Sequence, residues 1–364
     1  MSAPHDPSPG LWAFHAKPLP DELLSSWFVR LAHGHGLKVQ TFAQVLFGAN
    51  RQVWNRDIDR LGPEWLLTAL SRHTGTPEEQ AFRTCLRSYE GLLFETVRES
   101  YVQRWILPIK IYHRKRLGFG LQFCPECLAE DRVPYFRKRW RVAFNTYCPT
   151  HGILLHDRCP ACGNPVAFHR RELGKPDDAD GGPVTQCFNC DFDLRGAARV
   201  APTFYEGSAH QALEVAILRL EGRGPFCRPR SVGYYNVLRQ LCSQVTHRYR
   251  NLKLKDYVEA SVGAQPLEMP PARTMFETLA VGERHHFIQL ATWLLADFER
   301  RITDAWYARA VTYSALLRDF EGNRPAWFDQ TVVRFSDWRG ELLPSRHGSV
   351  RHRWHMPATA ERPY

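Results

Sequence analysis

The chain has 364 residues, of which 44% are hydrophobic and 24% charged, a composition that excludes wholesale disorder and predicts two or three folded units. No apolar run approaches the roughly 18–20 residues that a membrane span needs, and residues 1–20 lack an apolar stretch of the signal-peptide type. The formal net charge of +10 favours a polyanionic partner such as nucleic acid. We therefore expect a soluble, cytoplasmic protein that binds no membrane.

The first 20 residues contain five prolines and show no apolar period, which predicts a flexible leader without a core of its own. Three apolar residues stand out in this leader: Leu11, Trp12 and Phe14. Exposed apolar residues on a mobile arm often anchor a partner protein. The alternative is that the three side chains pack against the helices of this chain.

Residues 21–108 are predicted to form a helical unit. Apolar residues recur at helical spacing on both sides of the turn Gly34-His35-Gly36, so two short helices resemble a helix-turn-helix. The candidates for DNA contact on the second helix are Lys38, Gln40, Thr41 and Gln44. Spacing alone favours plain packing of the two helices in a bundle, and DNA reading is the second interpretation.

Residues 109–200 contain four pairs of metal-ligand residues, each pair separated by two residues. Such a tight turn directs both ligands at one ion, as in zinc-ribbon and zinc-knuckle segments. Filling in sequence order makes two closed structural sites, so we expect two zinc ions per chain in a reducing compartment. Interleaved filling, in which the first pair joins the third, is the alternative. The predicted ligands are Cys124, Cys127, Cys148, His151, Cys159, Cys162, Cys187 and Cys190.

The other three cysteines, Cys85, Cys227 and Cys242, follow helical apolar spacing and are expected in the core. Basic and aromatic residues alternate between Lys110 and Arg141. Such a cluster is usually a solvated face, but beside zinc knuckles a surface that contacts phosphate or docks a partner is equally expected. The candidates for phosphate contact are Arg137, Lys138 and Arg139.

Residues 201–340 are predicted to form a C-terminal helical domain, followed by a basic tail at 341–364. Four apolar stripes mark its helices, within 212–220, 237–245, 287–298 and 306–320. The metalloprotease, P-loop and dinucleotide-binding motifs are missing from the sequence, so we do not expect an enzyme.

The residues His285 and His286, with Asp297 and Glu299, are the only set that invites a nuclease interpretation. The histidine pair lies beside a strong apolar helix face. We therefore interpret all four as solvated helix residues.

Several short motifs follow one another between residues 19 and 195. They are Leu19-Pro20-Asp21-Glu22-Leu23-Leu24-Ser25-Ser26-Trp27, Arg30-Leu31-Ala32, Phe123-Cys124-Pro125-Glu126-Cys127, Trp140, Tyr147-Cys148-Pro149-Thr150-His151-Gly152, Leu154-Leu155 and Cys159-Pro160-Ala161-Cys162-Gly163. In this order they resemble the TniQ/TnsD family of transposition target-selection proteins. The C-terminal 160 residues carry no motif that matches the family.

The resemblance implies an adaptor that recognises a DNA insertion site, or an RNA-guided CRISPR effector complex at that site, and recruits an AAA+ ATPase regulator of transposition. Such an adaptor needs no catalytic residue, and some relatives act as dimers, so a homodimer is a further expectation. Two other classes stay open: a zinc-containing, sequence-specific DNA-binding transcription regulator, and a zinc-stabilised nuclease.

Overall fold

The computed structural model describes residues 10–48, 53–98, 102–112, 115–171, 183–220, 232–246, 253–271 and 274–336. The predicted mainly α fold is confirmed, since this part of the chain contains thirteen α-helices and four two-residue strands. The start of the leader, Cys227 and the basic tail lie outside the described residues.

The N-terminal unit contains the predicted helix pair. The first helix is almost wholly buried, whereas the second buries only Val39, Phe42 and Ala43. Gly36 in the turn between them has a φ of +65°, a conformation that costs glycine little. The helices of this unit are α1 (Leu24–Gly34), α2 (Val39–Phe47), α3 (Ile58–Leu61), α4 (Glu64–Thr74) and α5 (Glu78–Phe82).

Residues 90–107 are not helical in the part of this segment that the structure describes, so the prediction of helix up to residue 108 was wrong there. The last helical turn is the 3-10 turn Leu86–Tyr89. Beyond it the backbone bonds to distant segments of the chain: Leu107 N–H donates to the Arg141 carbonyl and Ala143 N–H donates to the Trp105 carbonyl. These long-range bonds replace the helical ones.

The metal segment follows with one short helix, α6 (Pro125–Glu130), and two small antiparallel ladders. In the first ladder β1 (Ile111–Tyr112) pairs with β2 (Lys115–Arg116). In the second, β3 (Tyr147–Cys148) pairs with β4 (Ile153–Leu154), with Cys148 opposite Ile153. Short ladders and turns rather than a sheet therefore position the ligand residues.

The C-terminal domain is helical, as predicted, and its central helix α10 packs against α7, α8 and α9. Helix α10 buries eleven consecutive residues, so it lies inside the domain on all sides. Among the described residues, no helix is both long and apolar enough to cross a membrane. The helices are α7 (Gly207–Leu220), α8 (Val232–Thr246), α9 (Leu254–Val262), α10 (Val281–Ala296), α11 (Phe298–Tyr307), α12 (Tyr313–Leu317) and α13 (Ala326–Val333).

The apolar stripe at 306–320 is not one helix. Helix α11 ends at Tyr307, Arg309 has a left-handed backbone with φ +57°, and Thr312 caps α12 by accepting from Ala315 N–H. The buried residues Ala310 and Val311 lie between the two helices. The apolar residues keep a helical spacing across this turn because α11 and α12 face the same core.

The buried apolar residues form two cores. The N-terminal core joins the first helices to the metal segment, with Trp27 and Phe123 both fully buried. The C-terminal core joins α7–α13 to earlier parts of the chain, including Trp105 and Phe144. Residues 86–107 therefore contribute to the C-terminal core, although the sequence analysis placed them in the N-terminal unit.

Candidate metal centres and the exposed face of α2

The first candidate metal centre consists of Cys124, Cys127, Cys148 and His151, whose ligand atoms all lie within 4.8 Å of one another. His151 Nδ1 lies 3.4 Å from each of the three sulfurs, and Cys127 Sγ lies 3.6 Å from Cys148 Sγ. Zinc with bonds of about 2.3 Å to sulfur and 2.0 Å to nitrogen holds tetrahedral ligands about 3.5–3.8 Å apart. Three thiolates and one imidazole at these separations fit one tetrahedral ion.

Local structure explains how the first centre is assembled. Cys124 is the N-cap of α6, and its sulfur accepts from Cys127 N–H at 3.5 Å. Cys148 ends β3, and the turn that leads into β4 carries His151. One helix N-terminus and one hairpin thus each contribute a ligand pair.

A carboxylate outside the centre orients its histidine. Glu130 Oε2, from the last turn of α6, lies 2.9 Å from His151 Nε2. A carboxylate on the second ring nitrogen is the usual partner of a metal-binding histidine, because it sets the tautomer and the ring orientation. Here it leaves Nδ1 directed at the sulfurs. The role of Glu130 was not predicted from the sequence, since no motif places a carboxylate at its spacing from the ligands.

The second candidate centre consists of Cys159, Cys162, Cys187 and Cys190. The sulfur separations are 3.6 Å for Cys159–Cys190 and 3.7 Å for Cys162–Cys187, far beyond the ~2.05 Å of a disulfide. Asn164 Nδ2 donates to Cys162 Sγ at 3.4 Å, a bond that favours the thiolate form. Four cysteine sulfurs at these separations fit one tetrahedral zinc ion.

The ligands are grouped in sequence order and not interleaved. Three of the four ligand turns close in the same way: the residue after the second ligand has a left-handed backbone, and its N–H donates to the carbonyl of the first ligand. These donor and acceptor pairs are Gly152 to Cys148, Gly163 to Cys159, and Asp191 to Cys187. The sequence analysis did not specify this backbone bond.

The four α2 candidates for DNA contact share one side of the helix pair. Gln40, Thr41 and Gln44 are exposed, and Lys38 is half-buried at the N-cap. Within the described part of the chain, the side chains of Gln40, Thr41 and Gln44 make no hydrogen bond. Val45, beside them, is 70% exposed. This face is therefore open to a partner, whereas α1 is not.

The basic cluster at 137–139 is not a solvated face, contrary to its usual interpretation. Lys138 is only 8% exposed, and its Nζ donates to the Arg83 carbonyl and to Ser88 Oγ, each at 2.7 Å. Arg137 is buried in a bidentate pair with Asp131. Burial lowers the pKa of Lys138. These two side chains stabilise the fold and have no exposed charge for phosphate.

The cluster is buried because its backbone lies along the first motif of the chain. Leu23 N–H donates to the Phe136 carbonyl at 2.9 Å, and Lys138 N–H donates to the Asp21 carbonyl at 2.7 Å. Arg139, the most exposed member, lies 3.6 Å from the Asp21 carboxylate. The adjacent aromatic residues Tyr135, Phe136 and Trp140 are also buried.

The described part of the leader packs against the N-terminal helices. The ring of Trp12 stacks on His73 with ring centroids 4.9 Å apart, and the backbone N–H of Trp12 donates to the His73 carbonyl. The alternative interpretation, packing against the chain's own helices, therefore applies to Trp12. Leu11 and Phe14 remain 58% and 36% exposed. Phe14 lies over Gly34, where a β-carbon would collide with its ring.

Part of this chain matches a known protein family. Residues 13–155 match the protein family described as TniQ. This part of the chain is a TniQ domain. It includes the helix pair and the whole first metal centre, whereas the second centre lies beyond it. The resemblance drawn from the motifs is confirmed for these residues, and it associates the protein with DNA transposition. No similar sequence was found among curated proteins.

A buried ionic network connects the parts of the TniQ domain. Arg141 is 1% exposed, and its guanidinium bonds to the carboxylates of Asp57 and Asp59. Asp59 also accepts from Ser25 N–H at 2.7 Å and from Ser25 Oγ at 2.9 Å at the start of α1. Burial raises the pKa of Asp59 to about 6, although Arg141 opposes that shift. The network joins α1, α3 and the metal segment.

At the two histidines of α10, His285 contacts the TniQ domain and His286 contacts α9. The expectation that they are solvated was wrong. His285 Nδ1 lies 2.8 Å from Thr146 Oγ1, and burial lowers its pKa to about 4. His286 Nε2 lies 2.9 Å from Glu259 Oε1. Both histidines are buried because α10 is enclosed by other helices and by the TniQ domain.

The nuclease interpretation required Asp297 and Glu299 to join these histidines. Both carboxylates are exposed and pair with arginines, Asp297 with Arg300 and Glu299 with Arg334. Of the potential metal-binding groups within the described ranges, none includes these histidines or carboxylates. The structure therefore does not assemble the residues that this interpretation needs.

Proposed function

We propose that this protein is a target-selection adaptor of DNA transposition, which recognises an insertion site and recruits an AAA+ ATPase regulator without performing chemistry itself. The observation that carries the proposal is the match of residues 13–155 to the TniQ family. An adaptor needs two separate binding surfaces held in a fixed relation. The exposed α2 face and the exposed leader side chains are two candidate surfaces within one N-terminal unit, in which Trp12 of the leader contacts Phe42 of α2 with ring centroids 5.3 Å apart.

We further propose that each metal centre holds one structural zinc ion. Cys124, Cys127, Cys148 and His151 would hold the first, and Cys159, Cys162, Cys187 and Cys190 the second. Four protein ligands leave no position for substrate or a catalytic water. The zinc would supply folding free energy to a segment whose strands are only two residues long.

The target side of the proposed adaptor is α2. Gln40, Thr41 and Gln44 would contact base edges and Lys38 a phosphate, as the second helix of a helix-turn-helix does. The formal net charge of +10 supports association with DNA. Recognition of a DNA-bound CRISPR effector complex is the second form of targeting, and it would not depend on these α2 side chains.

The regulator side of the proposed adaptor is the leader. Leu11 and Phe14 are exposed apolar side chains on a segment that Trp12 pins to α4. An apolar anchor on a fixed segment costs less ordering entropy on binding than one on a free arm. Leu11 and Phe14 are therefore the proposed docking residues, and Trp12 holds their segment in place against α4.

The experiment is co-purification of this protein with a candidate AAA+ ATPase regulator of transposition, in the presence of nucleotide and DNA. The double variant Leu11→Ala/Phe14→Ala should lose the ATPase. Leu218→Ala is the matched control, because Leu218 is as exposed as Phe14 but lies on α7. Retention of the ATPase by the double variant would move the docking surface elsewhere.

Failure of the wild-type protein to retain the ATPase, combined with tight sequence-specific DNA binding, would favour the zinc-containing transcription regulator instead. The exposed polar face of α2 supports that class equally well. Homodimer formation is a separate proposal, and the mass of the zinc-loaded protein in solution tests it.

A further inference from the structure

The exposed face of α2 has a repeated composition. Gln40 is followed by Thr41, and four residues later Gln44 is followed by Val45; all four side chains are exposed. Each glutamine is thus followed by a β-branched residue that presents methyl groups to solvent. Because residues four apart share one helix face, the two Gln-methyl pairs stand one turn apart on the same side.

This composition complements one type of base pair. In the major groove, adenine offers N6 and N7 to the amide of glutamine, and thymine offers its methyl group to an apolar or threonine side chain. Guanine is read chiefly by Arg or Lys, and cytosine by Glu or Asp. Helix α2, from Val39 to Phe47, contains no charged residue at all. Its exposed face therefore matches A·T pairs better than G·C pairs.

The exposure of the two β-branched residues argues against a simple packing role for this face. Val45 is 70% exposed although it lies on a helix whose other side is buried in the N-terminal core. Helix α2 itself carries no carboxylate. The exposed face thus combines amide groups with methyl groups, and α2 contributes no negative charge to it.

We propose that α2 reads A·T base pairs in the major groove, with Gln40 and Gln44 bonding adenine and with Thr41 and Val45 contacting thymine methyl groups. This inference rests on the proposed DNA contact of α2. The two glutamines are about 6 Å apart along the helix at 1.5 Å per residue. Since stacked bases are about 3.4 Å apart, they address pairs about two steps apart.

The test uses the full-length, zinc-loaded protein and a randomised duplex library, followed by direct binding to selected and base-substituted duplexes of equal length. The selected sites should contain at least two A·T pairs. Replacing their adenines by 7-deazaadenine removes N7 alone, and replacing thymine by uracil removes the methyl group alone. Each change should weaken binding about tenfold, the usual scale of one base contact.

Variants separate the reading residues from a general charge effect. Gln44→Ala should abolish the preference at one position, and Gln44→Arg should convert that position to guanine. Lys38→Ala should weaken A·T and G·C duplexes equally. Both positions lie at or near the surface, and zinc content with circular dichroism checks that the fold is retained.

Two results would overturn the inference while leaving the proposed function intact: DNA binding without base preference, or an A·T preference that survives 7-deazaadenine and Gln44→Ala. The latter would mean that the protein reads the minor groove or the shape of the duplex. Undetectable DNA binding at low salt would instead overturn direct targeting through α2 itself, and the inference with it.

Discussion

Arg141 donates to Asp57 from both terminal nitrogens, with the shorter bond at 2.7 Å between Nη2 and Oδ2, in a site where the arginine is almost completely excluded from solvent. Asp57 caps α3 by accepting from Arg60 N–H. Arg141 Nη2 also donates to the Leu107 carbonyl. This ion pair is therefore one of the buried contacts that join the helical unit to the metal segment of the TniQ domain.

Removing one partner of this pair should destabilise the protein strongly. Arg141→Ala leaves Asp59 buried without this counter-charge and leaves Asp57 with Arg60 at 4.0 Å, and we expect a loss of about 3–5 kcal/mol in the free energy of unfolding. Urea unfolding of the zinc-loaded protein measures it. The matched control is Arg83→Ala, which breaks the exposed pair with Glu79 and should cost under about 1 kcal/mol. Similar losses in both variants would contradict a special role for Arg141.

The pH dependence of stability should reveal Asp59. Its pKa is about 6 in the folded protein, chiefly through burial, and about 3.9 in the unfolded chain. The folded state therefore holds this proton more tightly. The protonated Asp59 thus adds to the free energy of unfolding at low pH, and this contribution is lost as pH rises through 6.

Asp59→Asn removes this titration and serves as the reference. The stability of wild type relative to Asp59→Asn should fall by about 1 kcal/mol between pH 5.5 and 7.5. Using the difference between the two proteins cancels the pH dependence of the metal centres, which both share. A difference that stays constant with pH, or that rises, would show that Asp59 is ionised throughout this range.

Sequence reasoning succeeded where the relevant contacts are local. The eight ligand positions form four pairs with two residues between the members of each pair, so a turn alone brings each pair together. The helix pair and the stripes of α7 and α8 were predicted for the same reason, since apolar residues at helical spacing indicate a helix with one buried face. Sequential filling of the two centres was also one of the two arrangements that the spacing allowed.

Long-range contacts decided the features that the sequence did not predict. Lys138 is buried because Arg83 and Ser88 accept its hydrogen bonds, and Trp12 is held because His73 offers a ring to stack on. In each case the partner is about 50 or more residues away, and no local pattern announces it. The local density of basic residues therefore led to the expectation that Lys138 contacts phosphate at the surface.

The orienting role of Glu130 leads to a metal-affinity prediction. Glu130→Gln should weaken zinc binding at the first centre about tenfold or more, because the carboxylate partner of His151 is lost while all four ligands remain. Competition with a chromogenic chelator measures the affinity. Glu126→Gln is the matched control on the same helix, since Glu126 pairs with Arg199 rather than with a ligand. An equal effect of both variants would rule out a specific role for Glu130.

The total metal content follows from the two centres. Protein purified without added metal should contain close to two zinc ions per chain, and Cys124→Ser or Cys159→Ser should unfold its segment or make the protein insoluble. Cys242→Ala, a core cysteine outside both centres, should keep two zinc ions. A zinc content near zero in soluble, folded wild-type protein would contradict structural zinc.

The salt dependence of DNA binding should distinguish Lys38, at the start of α2, from the buried Lys138. Lys38→Ala should reduce the slope of log affinity against log salt by about 1, because one phosphate contact is lost. Lys138→Met should leave that slope unchanged and lower the free energy of unfolding by about 1–3 kcal/mol, since the Arg83 carbonyl and Ser88 lose their donor. A reduced slope for Lys138→Met would place its charge on DNA after all.

The central claim is that this protein connects target DNA to an AAA+ regulator. The most direct measurement immobilises target duplex and records how much of the candidate AAA+ ATPase is retained, with nucleotide, in the presence and absence of the protein. We predict that retention requires the protein, and that it is lost with Leu11→Ala/Phe14→Ala but not with Leu218→Ala. Retention that is unchanged when the protein is omitted, or a DNA-bound protein that never retains the ATPase, would contradict the account.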